Sequence, residues 1–180
     1  MDAWVWILIA AVLLLIVAAF LVSRRSKTRR LKEGFGPEYD RTVSERESRR
    51  RAEGELQERA KRREQLDIRP LPEGDRRRYG QEWERIQKDF VDEPHKALES
   101  AQYLVDELMG KRGYPMSDFD QRAADISVDH PRVVENYRAA HGLTEVRQNR
   151  EITTEELRQG MVHYRALFVE LLDSSPSNTK

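Results

Sequence analysis

The chain has 180 residues and no cysteine, which removes disulfides, thiol catalysis and thiolate metal sites and fits a reducing compartment. No stretch alternates apolar and polar residues as a half-buried strand would. The nine glycines are scattered, so no Gly-rich phosphate loop ending in Lys-Ser/Thr is present, and no serine sits in a G-x-S-x-G elbow. The histidines (His95, His130, His141 and His163) form neither an H-E-x-x-H helix nor a closely spaced zinc pair. Carboxylates are plentiful, but their spacing is that of helix caps and surface pairs. Together these absences argue against an enzyme. No catalytic residue, cofactor site or metal site is assigned.

Net charge is absent too: 32 basic side chains balance 32 acidic ones. The balance is uneven along the chain. Residues 1–67 carry 15 basic and 11 acidic side chains, and residues 68–180 carry 17 and 21. The distal part is therefore mildly acidic, which argues against nucleic acid as its partner, since phosphate binding needs a basic face.

What the chain does have is a run from Ala3 to Val22, twenty residues without an ionisable side chain. As a helix this run is about 30 Å long, the thickness of a bilayer's hydrocarbon core. Trp4 and Trp6 fall where an interfacial aromatic belt is expected. A cleaved signal peptide fits less well, because Asp2 replaces the basic n-region and the apolar run is too long. Arg24, Arg25, Lys27, Arg29, Arg30 and Lys32 follow directly, with no basic residue before the run. The positive-inside rule then predicts a single-pass protein with its N-terminus outside and its body in the cytoplasm. The same six cations are candidate contacts for anionic lipid head groups, each worth about 1 kcal/mol near the surface.

The expected architecture is all-α: a transmembrane anchor over 1–23, a basic juxtamembrane segment and hinge over 24–43, a charged helical stalk over 44–67, a bundle of about five helices over 68–173, and a disordered tail over 174–180. Gly34-Phe35-Gly36-Pro37 predicts the hinge, centred on 33–42. Ser44 and Glu47 form a capping-box pattern that opens the stalk helix. Glu45–Arg49, Glu47–Arg51, Glu55–Arg59 and Glu58–Arg62 lace that helix at i, i+4, with charge on nearly all sides, as in a solvated spacer.

Two prolines, Pro70 and Pro72, end the stalk. Tyr79, Trp83, Ile86 and Phe90 then recur at helical spacing as a core stripe. A second helix, from Pro94 to Arg112, carries Leu98, Ala101, Leu104, Val105, Leu108 and Met109, with Gly113 as its C-cap. Ser117 is expected to cap a third, and Asp129-His130-Pro131 to break it, with Asp129 capping a fourth that closes at Gly142. Residues 143–152 read as a loop. Thr153 and Glu156 form a capping box ahead of Leu157, Met161, Tyr164, Phe168, Leu171 and Leu172.

Five stretches, Phe35-Gly-Pro-Glu-Tyr-Asp-Arg, Ile68-Arg-Pro-Leu, Arg78-Tyr to Phe90-Val-Asp, Arg112-Gly-Tyr-Pro, and Asp125-Ile-Ser-Val-Asp-His-Pro through Tyr137-Arg-Ala-Ala-His, carry a resemblance. Over roughly residues 34–172 the chain resembles a family of uncharacterised bacterial single-pass membrane proteins with a helical C-terminal domain. The resemblance implies a bacterial inner-membrane setting and transfers no site residues.

The functional expectation is a membrane-anchored interaction or scaffold module, whose partners are lipid and another protein or a sister copy. The alternative is a tethered regulatory or sensory domain holding a small ligand near Trp83, Tyr103, Tyr114 and Tyr137. A hydrolase would need Asp129 and His130 together in an open cleft.

Overall fold

The computed structural model describes the backbone of residues 3–147 and 150–174, and the side chains within these ranges except those of 3, 5–11, 17, 20, 21 and 147. Among the described residues the chain is all-α. The elements are α1 (Ala3–Phe35), α2 (Pro37–Glu45), α3 (Arg49–Glu64), α4 (Glu73–Asp89), α5 (Pro94–Arg112), α6 (Phe119–Asp129), α7 (Val134–Arg147) and α8 (Thr154–Asp173). They divide into two compact units, Met1–Gln57 and Glu58–Lys180, with the boundary inside α3.

In the first unit α1 runs for 33 residues and carries the apolar sequence straight into the basic one. Among the described residues no helix is long and apolar enough to cross a membrane, so the anchor reading rests on the sequence of 3–22. Trp4 is exposed, and the side chain of Trp6 lies outside the described residues.

The hinge expected over 33–42 contracts to a single residue. Gly36 takes φ 48°, ψ −124°, a conformation that favours glycine, while Gly34 and Phe35 finish α1 and Pro37 starts α2 at its first helical position. Ser44 does not open the next helix: its hydroxyl donates to the Arg41 carbonyl at 2.7 Å in the last turn of α2. The cap of α3 is Ser48, whose Oγ accepts from the Arg51 amide at 3.3 Å. Arg46 turns extended after α2, so the chain needs three residues to turn before it can restart a helix.

The charged helix also differs from a solvated spacer. Ala52 and Leu56, four residues apart, are both fully buried, and Arg59 is buried in the next turn. Of the expected intrahelical pairs, Glu47–Arg51 forms; Glu55 also receives Arg46, and Arg62 lies 3.7 Å from Asp125.

In the second unit the chain leaves α3 as an extended strap over 67–72 that buries Ile68 and Leu71. The strap is stitched down where the Arg69 amide donates to the Arg112 carbonyl at 2.8 Å. Gly113 ends α5 at φ 99°, and a Cβ there would meet the Asp67 carbonyl oxygen at 2.4 Å, so both conformation and space require glycine.

Helix α5 lies between α4 and α8, α8 packs also on α7, and α6 packs on α7. The predicted stripes of α4, α5 and α8 form one core, in which Trp83 and Phe168 stack at 4.7 Å between centroids. Gly160 of α8 admits Leu98 of α5, since a Cβ would come within 2.7 Å of its Cδ1.

Smaller expectations shift at the helix ends. The cap of α6 is Asp118 rather than Ser117, its carboxylate accepting from the Gln121 amide at 2.9 Å. Asp129 is the last residue of α6, not the cap of the next helix. Helix α7 continues through Gly142 to Arg147, because Gly142 costs about 1 kcal/mol and the packing on α8 outweighs it. The capping box of Thr153 and Glu156 forms as expected, with the Glu156 amide donating to Thr153 Oγ1 at 3.2 Å. Of the expected tail, residues 175–180 lie outside the described residues.

Candidate functional site: a basic groove on the first unit

The six basic residues predicted to meet lipid occupy the last third of α1, and all six are exposed. Cations there suit the negative end of the helix dipole. Arg29 pairs with Glu33 at 2.7 Å, and Lys32 reaches Asp40 at 3.6 Å and lies over the Tyr39 ring at 5.9 Å.

The sequence does not predict the second wall. The first turns of α3 face this part of α1 across a groove of about 1080 Å³, to which they add Arg49 and Arg50. Helix α3 begins Arg49-Arg50-Arg51 with no acidic residue in its first turn, three cations at the positive end of its dipole. That inverted charge order is the signal legible in the sequence. Seven cationic side chains and only two acidic ones, Glu33 and Glu53, line the groove. Among the described residues no carboxylate pairs with Arg25, Lys27 or Arg50.

One carboxylate oxygen holds the walls together. Glu53 Oε1 accepts from Thr28 of α1 at 2.9 Å, from the Tyr39 hydroxyl of α2 at 2.9 Å and from Arg49 at 3.2 Å. The Tyr39 hydroxyl accepts in turn from Arg49 Nε at 2.8 Å. Phe35 and Tyr39 are buried, which places this knot over an apolar floor.

In the second unit the Asp129–His130 pair is built into the interior. His130 is 5% exposed, and its Nδ1 meets Glu170 Oε1 at 3.0 Å. Since the Glu170 carboxylate can only accept, the proton is on Nδ1, and the buried Nε2 is left without a partner among the described residues. Burial lowers the His130 pKa against the raising effect of Glu170. Asp129 accepts from Arg63 of α3 and, at 2.8 Å, from the Tyr114 hydroxyl. These contacts tie α3, α6 and α8 within the unit. His163 is likewise used structurally, with Nδ1 at 2.9 Å from Asn136 Oδ1.

The four aromatics named for a small ligand go to separate contacts. Trp83 stacks on Phe168, Tyr114 donates to Asp129, Tyr137 donates to Asp106 at 3.3 Å, and Tyr103 is 70% exposed. Tyr103 instead stands beside a shallow groove of about 580 Å³ between α4 and α5, with Ile86 and Leu104 in its lining and Arg78, Arg85, Glu99 and Glu107 around them. Comparison of the chain with protein families, with curated proteins and with solved structures finds no match.

Proposed function

We propose that the protein is a single-pass, membrane-tethered interaction module of a bacterial inner membrane, with its N-terminus outside and its helical domain in the cytoplasm. The observation that carries this reading is the sequence of α1: twenty residues without an ionisable side chain, then six cations within the next ten positions. The family resemblance supports the bacterial setting.

The domain's own activity is binding, either of another protein or of a second copy. The α4–α5 groove supports this, since an exposed tyrosine amid arginines on an apolar floor is the composition of an interface centre. Two measurements test the proposal. The chain should resist alkaline extraction from membranes, and a cytoplasm-active reporter fused after Lys180 should be active; activity of an exterior-only reporter overturns the orientation. Crosslinking in intact membranes should capture a partner or a dimer that Tyr103→Ala loses, and a wild-type chain that yields monomers alone overturns the binding role.

A further inference from the structure

The groove between α1 and α3 has cations on both walls. A ligand with two linked phosphates offers one to each wall. Its volume, about 1080 Å³, exceeds the need of one inorganic anion and matches sites for ligands of some size. Arg25 and Lys27 on one wall and Arg50 on the other have no carboxylate partner among the described residues, so an anion entering displaces no internal ion pair there. Seven cations facing one another repel, and the three arginines at the start of α3 add to the positive end of that helix. Each of these costs falls when a dianion sits between the walls. Guanidinium groups are also suited to hold phosphate through paired N–H donors.

The source of the phosphate follows from the position of the wall along α1. Arg24 follows Val22 by two residues in the same unbroken helix, roughly 3 Å along its axis. A basic pocket at that depth opens at head-group level once Ala3–Val22 is in lipid. We infer that the α1–α3 groove is a binding site for a lipid head group with two phosphates joined by a linker, with Arg25 and Lys27 on one wall and Arg50 on the other. This rests on the tether proposed above.

The test uses the full chain reconstituted into phosphatidylcholine nanodiscs, with diphosphatidylglycerol or with phosphatidylglycerol at matched total charge, followed by native mass spectrometry of retained lipid. Retention of diphosphatidylglycerol should exceed that of the charge-matched monophosphate lipid, and Arg50→Gln should lower it about tenfold, one good phosphate contact. Arg50 is exposed and unpaired, so this variant should fold; Arg25→Gln is the second variant and should weaken retention similarly. Equal retention of the two lipids, or retention unaffected by Arg50→Gln, overturns the site and leaves the tether standing. Displacement of the lipid by inorganic pyrophosphate at equal concentration overturns the lipid source. A chain that elutes apart from the discs overturns the tether and the lipid source with it.

Discussion

Arg112 Nη1, at the end of α5, donates to the Leu171 carbonyl oxygen at 2.7 Å, and so caps the C-terminus of α8 with a guanidinium that is only 1% exposed. The last carbonyls of a helix have no partner within it, and here the positive charge also opposes the negative end of the dipole. Burial lowers the Arg112 pKa, yet the group stays charged, since arginine titrates far above neutrality. Arg112→Met should leave the Leu171 carbonyl unsatisfied and cost about 1–3 kcal/mol, read as a lower urea midpoint of the full chain in micelles. An unchanged midpoint would refute the capping role.

Gly113 supplies a second stability test. Alanine there must hold a left-handed backbone and push its Cβ against the Asp67 carbonyl. A loss of about 2–4 kcal/mol is expected, with faster proteolysis of the 67–72 strap. Gly142→Ala, in the interior of α7 with open space at its Cβ, should instead stabilise slightly.

Glu53→Ala should loosen the first unit without touching the core of the second. Thr28, Tyr39 and Arg49 all lose an acceptor, and Tyr39 is 2% exposed. Amides of α2 should exchange roughly ten- to a hundredfold faster, from a local cost of about 1–3 kcal/mol. Exchange in α5 should not change.

His130 predicts a pH effect with a definite sign. Its folded pKa is depressed, so the unfolded chain takes up the proton first as acid is added. The contribution of His130 is fully present above about pH 6.5 and is lost as pH falls below it. Melting temperatures compared between pH 7.5 and 5 should fall more steeply for the wild type than for His130→Gln. Parallel slopes would show that His130 does not carry the effect.

Periodicity reads the second unit well, because its helices bury continuous stripes. Trp83, Leu108 and Phe168 are core residues in both the sequence and the structure. Helix ends read less well. Ser44 and Ser117 match a cap pattern, but the neighbours Ser48 and Asp118 take the role, because the geometry of the preceding turn selects the residue. The burial of α3 is invisible to pattern, since Ala52 and Leu56 are too few to outweigh the surrounding charge. Arg112 is legible only as a favourable charge in a last turn; that it reaches a second helix depends on tertiary placement. The second wall of the basic groove has the same origin, in residues some twenty-five positions apart brought together by the turn at Gly36 and Arg46–Ser48.

The absence of a break between Val22 and Phe35 gives α1 a mechanical property. In a tethered chain, a thinner or thicker bilayer alters the tilt of the apolar half. About 20 Å of the same rod extends beyond Val22, so a tilt of roughly 15° swings its far end by about 5 Å. The three-way knot at Glu53 fastens α2 and α3 to that end, so in a tethered chain the basic groove would be carried along with it.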